Sequence, residues 1–165
     1  MTQYILSNKE MAKADLLTIE SGISSLDLMF NAGKKVFNNL PVQRGKRALF
    51  ICGPGNNGGD GYVAADLLLK QGMEIDIYCP ISKAKESNDN LHYKQKLNKS
   101  LFVSKIRSLS NYCYVVDALF GTGLSRTMSN DLSSLVSKIN QSKLDVFSVD
   151  IPCLLYTSDA ADDVA

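Results

Sequence analysis

The stretch GPGNNGGDGYVAADLLLKQG, residues 53–72, places five glycines and one proline in its first nine positions and then continues as a helix-like run closed by Gly72. So many glycines are typical of a place where another group must come close to the main chain. The short apolar run ALFIC (48–52) precedes them. The stretch therefore predicts a strand, a glycine-rich turn and a helix in succession.

Strand and helix patterns alternate along the rest of the chain. Residues 82–100 are expected to be helical in part, and residues 129–143 to form a helix. This alternation predicts an α/β fold, a three-layer α/β/α Rossmann-like domain with a mostly parallel central sheet. Its strands are predicted to be parallel and adjacent, at 48–52, 75–79, 113–118 and 145–150.

Two helices are predicted before the first strand. The first begins with a capping box of Ser7 and Glu10 and ends at Gly22, and the second begins at Ser24 or the serine after it and ends before Pro41. Their apolar stripes are Met11, Ala14, Leu17 and Ile19 in the first helix, and Leu28, Met29, Ala32, Val36 and Leu40 in the second.

Composition excludes several classes of protein. The 165 residues suffice for one domain, and a formal net charge of +1 argues against a nucleic-acid partner. The N-terminus lacks the features of a signal peptide, and no apolar run is long enough to span a membrane. Four cysteines without metal-site spacing indicate reduced thiols in a cytoplasmic protein: Cys52, Cys79, Cys113 and Cys153.

Polar or glycine-rich segments follow three of the predicted strands. They are GPGNNGGDG, DALFGTGLSR and VDIP, which contain Asp60, Asp117 and Asp150 respectively. Ligands of parallel sheets bind outside the carboxyl ends of the strands. The three aspartates are therefore expected around one cavity at that edge.

The two glycine-containing loops favour an anionic ligand. The first is neither a Walker A loop nor an intact G-x-G-x-x-G fingerprint, but its amides precede a helix, and a tight structural turn is the alternative. In the second loop, Arg126 can pair with a phosphate, or it is a solvated surface residue. Together the loops predict a ligand with phosphates and a polar head.

At CGPGNNGGDGYVAADLL, VVDALFGTGLSR and SVDIP the chain closely resembles the YjeF N-terminal domain family. The resemblance extends from Ser7 to Pro152. Enzymatic members of this family are NAD(P)H-hydrate epimerases, which interconvert the R and S forms of NADH or NADPH hydrated at C6. The resemblance therefore implies an isomerase of cofactor repair that binds NAD- and NADP-derived substrates.

The resemblance also implies the site residues and a bound potassium ion. The ion would involve Asn57 and Asp117, whose hard oxygen donors suit such a cation. Inversion at C6 needs a proton donor and acceptor, for which Asp60 and Asp150 are the candidates, although Asp60 could instead cap the helix. His92 is expected at the surface. The implied substrate-binding residues are Asn56, Asn57, Gly58, Gly59, Asp60, Gly121, Thr122, Gly123, Leu124, Ser125, Arg126, Thr127 and Asp150.

Partners and alternatives follow from the same resemblance. The expected functional partner is an NAD(P)H-hydrate dehydratase, which could be fused to this domain in the full gene, and the chain is expected to form a homodimer. Some proteins of this fold are non-catalytic scaffolds in mRNA decapping, but those would lose the pocket residues that this chain retains. A generic dinucleotide or methyl-donor binder explains the glycines but not NNGGDG beside GTGLSR.

The family pattern ends at Pro152. Relatives continue VDIP with a serine that contacts potassium, whereas position 153 here is cysteine, a poor ligand for a hard cation. The string CLLYTSDAADD resembles a translated sequencing adapter. We therefore expect residues 1–152 to be the family domain, incomplete at its C-terminus, and residues 153–165 to be a non-native tail.

The source nucleotides test this expectation. An adapter sequence in the frame that encodes residues 153–165 is the expected finding. An intact gene that runs through this region would contradict it.

Overall fold

A computed structural model describes residues 8–81, 84–121 and 129–150. Within these ranges five parallel strands form one sheet in the order β3-β2-β1-β4-β5. The strands are β1 (Arg47–Cys52), β2 (Glu74–Tyr78), β3 (Phe102–Val103), β4 (Tyr114–Ala118) and β5 (Asp145–Ser148). The helices are α1 (Asn8–Glu20), α2 (Ser25–Asn38), α3 (Asn56–Lys70), α4 (Asn88–Lys96) and α5 (Asn130–Gln141).

The predicted sheet is confirmed. All four predicted strands are present, and they pair in parallel with β1 between β2 and β4, so that Ala48 lies opposite Ile75 on one side and Tyr114 on the other. The two-residue strand β3 was not predicted, because so short a segment has no periodicity to detect.

The sheet separates two apolar cores, which gives the expected three layers. On one face Phe50 and Val116 belong to a core shared with α3, and on the other face Leu49 and Val115 belong to a core shared with Ile139 of α5. β4 is buried at every position and carries an apolar residue at every position but one, as expected for a strand covered on both faces.

The two N-terminal helices are present, but their apolar stripes differ in burial. α1 ends at Glu20, and Gly22 takes a positive φ of 101°, while Ser24 caps α2 by accepting from the Asp27 amide. In α2, Met29 is buried. In α1, however, the predicted stripe is exposed at Met11, Leu17 and Ile19. No helix within the described ranges is long and apolar enough to cross a membrane.

α3 begins earlier than predicted. Gly55 is its N-cap and Asn56 its first residue, so that the segment NNGGDG forms the first turns of the helix and not a separate loop. Glycine is a poor helix former, and its propensity pointed to a turn. Packing overrides that propensity here, because Gly58, Gly59 and Gly61 are all buried against neighbouring elements.

α2 crosses α3 at a point that has no room for a side chain. A Cβ atom at Gly33 would lie 2.5 Å from the Cβ atom of Val63 and 2.6 Å from the main-chain oxygen of Asp60. Neither neighbour is the end of a flexible side chain. The two helices therefore depend on glycine at this position to pack together.

Gly33→Ala is expected to lower the free energy of unfolding by about 1–3 kcal/mol, because the added methyl group overpacks the contact. Intrinsic helix propensity alone would stabilise the same variant by about 0.5–1 kcal/mol. Urea denaturation measures the difference, with Ala32→Gly at the exposed neighbouring position as the control for propensity. A stabilised Gly33→Ala variant would contradict the packing argument.

Candidate active site

Segments that follow β1, β4 and β5 meet at the carboxyl edge of the sheet. The side-chain amide of Asn57 donates a 2.7 Å hydrogen bond to the main-chain oxygen of Phe120. A Cβ atom at Gly121 would lie 2.7 Å from Oδ2 of Asp150 and 3.8 Å from Cβ of Asn57. The structure therefore brings Asn57, Gly121 and Asp150 together at the carboxyl edge of the sheet.

Most glycines of the motif are required by packing. A Cβ atom at Gly53 would lie 1.9 Å from the main-chain oxygen of Leu119, and one at Gly58 would lie 2.0 Å from that of Gly53. The alternative of a tight structural turn fits Gly53, whereas Gly58 lies within α3. Gly55 differs, because a Cβ atom there would meet nothing within 4 Å and the residue is exposed.

Asp60 lies on the second turn of α3 and is only partly accessible to solvent. Burial, and to a smaller extent the charges of Asp150 and Asp15, raise its pKa from 3.8 to about 7. The alternative that Asp60 caps the helix is wrong, because Gly55 occupies the N-cap position. Near neutral pH this carboxyl group can both donate and accept a proton.

Asp117 lies at the same edge but faces the other side of the sheet. Its Oδ1 atom accepts a hydrogen bond of 3.1 Å from the Leu119 amide, and its side chain is buried. It lines a small cavity against α5 together with Val115 and Leu135, and neither Asp60 nor Asp150 lines that cavity. The three aspartates thus lie at the same edge of the sheet. Of the three, only Asp117 lines this cavity, so they do not share it as expected.

The donors suggested for a potassium ion are oxygen atoms. Because the amide nitrogen of Asn57 is bound to the Phe120 carbonyl, its Oδ1 atom remains as the acceptor that can bind a cation. The buried side chain of Asp117 offers carboxyl oxygens at the same edge of the sheet. This donor chemistry fits a hard monovalent cation. Within the described ranges, no group of three or more His, Cys, Asp or Glu residues could hold a metal ion.

Sequence reasoning missed the contribution of α4 to the glycine-rich segment. Asn90 is fully buried, and its amide donates to the main-chain oxygens of Gly53 at 3.1 Å and Gly55 at 2.7 Å. Ser87, the N-cap of α4, donates to Oδ1 of Asn56 at 2.7 Å. No motif marks these residues, and only the cap pattern of Ser87 indicates where the helix begins.

Other predicted residues fall at the surface or outside the described ranges. His92 is exposed, as expected. Cys52, Cys79 and Cys113 are unpaired, which confirms the prediction of free thiols for these three, and Cys52 is the most deeply buried of them. Outside the described ranges lie Ser7, the phosphate-side residues Thr122, Gly123, Leu124, Ser125, Arg126 and Thr127, and the segment 151–165 with Cys153.

The sequence of the chain matches one protein family over most of its length. The family model described as "YjeF-related protein N-terminus" matches residues 25–162, a range that extends into the proposed tail. The NAD(P)H-hydrate epimerase of Oenococcus oeni is 37% identical over 158 residues, which cover 92% of this chain and 75% of the relative.

Two further relatives extend the comparison. The bifunctional NAD(P)H-hydrate repair enzyme Nnr of Synechocystis is 29% identical over 93% of this chain and 30% of its own length. The crystal structure of the yeast protein ynu0 superimposes with a TM-score of 0.71 at 26% identity, and the match covers 92% of this chain and 71% of the yeast chain.

The raised pKa of Asp60 predicts a pH-dependent stability. The folded protein holds the Asp60 proton up to about pH 7, whereas the unfolded chain releases it near 3.8, so stability is lost as the pH rises between these values. A side-chain amide at the same position cannot titrate. The melting temperature of Asp60→Asn should therefore be close to that of wild type at pH 4. It should exceed the wild-type value by a growing margin as the pH rises towards 8.

Scanning calorimetry across this pH range measures the difference in melting temperature. Asp66→Asn is the matched control, because Asp66 lies on the same helix in an ion pair with Lys70 near the surface. A difference between Asp60→Asn and wild type that does not grow with pH would show that Asp60 titrates normally.

Proposed function

The chain belongs to the YjeF-related N-terminal family, and we propose that it is an NAD(P)H-hydrate epimerase. It interconverts the R and S forms of hydrated NADH and NADPH and so serves the repair of nicotinamide cofactors. The observation that carries this proposal is the meeting of Asn57, Gly121 and Asp150 at one sheet edge, beside Asp60, in a chain whose curated relatives are named for this reaction.

The reaction requires proton transfer at C6 of the hydrated ring. Either the hydroxyl group leaves as water and another water adds from the opposite face, or the ring opens and closes again. Both routes need one group that donates a proton and one that accepts it. Asp60 suits both roles, because its pKa of about 7 leaves both protonation states populated near neutral pH.

Asp150 is the second carboxyl group within reach of the same region. It is exposed at the end of β5, and its charge contributes to the raised pKa of Asp60. Two carboxyl groups whose environments differ can divide the roles of acid and base between them. We assign catalysis to Asp60 first and to Asp150 second.

Substrate binding is assigned to the residues around this edge. Asn56 to Asp60 form the first turns of α3, where the helix dipole and the amides of the first turn favour an anion. Residues 121–127 are assigned to the phosphate side by the family resemblance, with Arg126 as the cationic contact. Asp150 completes the assigned substrate contacts.

We propose that potassium binds through Asn57 and Asp117. The cation would offset the negative charge that phosphates and carboxylates place at this edge. Its binding has a test that does not depend on turnover, since potassium should raise the melting temperature of the full-length protein more than lithium does at equal ionic strength. Equal stabilisation by the two ions would contradict the proposal that potassium binds at Asn57 and Asp117.

We also propose a dehydratase as functional partner and a homodimer as the assembly. The name of the bifunctional Synechocystis relative supports a link between this family and a larger repair enzyme. The exposed apolar residues Met11, Leu16 and Leu17 of α1 would be covered by a second copy of the chain. Sedimentation of the full-length product decides the oligomeric state.

The unpaired thiols of Cys52, Cys79 and Cys113 favour a cytoplasmic location for the protein.

Asp60→Asn tests both the activity and its main catalytic residue. The substitution keeps the size of the side chain and removes only its ability to carry a proton. Epimerisation by the full-length gene product, followed by chromatography that resolves R and S hydrates, should fall by about 10²–10⁴-fold. Asp66→Asn on the same helix should keep wild-type turnover.

Two outcomes would contradict this proposal at different levels. Wild-type turnover in Asp60→Asn would transfer the catalytic role to Asp150. A wild-type protein that does not accelerate the exchange of the two epimers would contradict the proposed function itself.

A further inference from the structure

A buried amide on α4 holds the main chain before α3 in place. Asn90 has no exposed surface, and its Nδ2 atom donates to the main-chain oxygens of both Gly53 and Gly55. Its Oδ1 atom is buried and accepts no hydrogen bond from the described residues. An unpaired buried acceptor is unfavourable, so an amide at this position indicates that its two donated hydrogen bonds are needed.

Ser87 extends this contact to the residues between and after those glycines. Its main-chain amide donates to the oxygen of Pro54 at 3.0 Å, and its hydroxyl group donates to Oδ1 of Asn56 at 2.7 Å. The main-chain oxygens of three successive residues, 53 to 55, therefore all accept hydrogen bonds from Ser87 or Asn90. The peptide groups of this segment have one orientation that satisfies all these donors.

That orientation determines where the neighbouring amides point. In a trans peptide the N–H group lies opposite the C=O group, so that the amides of Gly55 and Asn56 point away from α4 when the oxygens of Pro54 and Gly55 point towards it. α4 packs against α2 and α3, whereas Asn57 on α3 reaches the segment that follows β4. The two amides therefore lie on the side of the segment opposite α4.

We propose that Asn90 is a positioning residue for the epimerase site. It fixes the peptide planes of residues 53–56, and through them the start of α3 from which Asn57 and Asp60 extend. Gly58 lies next to this contact. A Cβ atom at Gly58 would collide with both the Asn90 amide nitrogen and the Gly53 oxygen, so glycine is needed there for Asn90 to reach the segment. The effect on turnover rests on the proposed function, whereas the effect on the main chain does not.

The test compares three variants of the full-length protein. Asn90→Leu keeps the branching of the side chain at Cγ, although it is larger, and removes both donors, and Asn90→Ser retains one donor at a shorter reach. The matched control is Tyr93→Phe, which removes a 2.9 Å hydrogen bond from the same helix to the Leu26 oxygen of α2, away from the glycine segment. Each is measured by steady-state kinetics and by hydrogen exchange of residues 55–59.

Asn90→Leu is expected to lower kcat/KM by about 10²-fold, mainly through kcat, because Asp60 moves with the segment that Asn90 holds. Amide exchange at Gly58 and Gly59, which donate to the Gly55 oxygen, should become faster. Asn90→Ser should lie between Asn90→Leu and wild type, and Tyr93→Phe should match wild type in both measurements. If Asn90→Leu does not fold, Asn90→Ser is compared with wild type and with Tyr93→Phe in its place.

Unchanged kcat/KM and exchange in a folded Asn90 variant would overturn the proposal, even if its melting temperature fell. Equal effects in Tyr93→Phe would also overturn it, since they would show a general loosening of α4. If the wild-type protein lacks epimerase activity, the proposed function fails, and hydrogen exchange alone then decides whether Asn90 positions the segment.

Discussion

The start of α3 lies so close to the ends of β1 and β4 that side chains are excluded at several positions, and the site depends on this contact. A Cβ atom at Gly53 would lie 1.9 Å from the Leu119 oxygen, and one at Gly61 would lie 2.7 Å from Cβ of Ala118. Main-chain atoms and short side chains form these boundaries, and they cannot move aside as the end of a long side chain can. The glycines therefore fix how closely the helix approaches the sheet, before any ligand is considered.

This close packing explains the chemistry available to Asp60. The residue stands between Gly59 and Gly61, which are both buried, and is itself only partly accessible to solvent. Desolvation is accordingly the largest cause of its raised pKa, and the charge of Asp150 adds to it. A motif that looks like a binding loop thus also supplies an acid and base near neutral pH. Asn90 of α4 contacts the same segment and completes its restraint.

The sheet could be predicted from the sequence because buried parallel strands have continuous apolar runs, as ALFIC and YVVDALF do. The edge on which the aspartates lie followed from the same pattern. The start of α3 could not be predicted, since three glycines oppose helix formation locally and only their packing against other elements favours it. Asn90 had no local signal at all, because its role is a contact with Gly53 across 37 positions of the chain. The face of the sheet on which Asp117 lies could not be predicted either, because β4 is buried on both faces and its residues do not distinguish them.

The central claim is that this packing converts an ordinary aspartate into a group that exchanges its proton near neutral pH. The most direct measurement is a carbon-13 NMR titration of the Asp60 carboxyl group in the full-length, unliganded protein. A midpoint near the value of about 7 is the predicted result. A midpoint near 3.8, the ordinary value for the side chain, would contradict the account, because Asp60 would then carry no proton to donate at neutral pH.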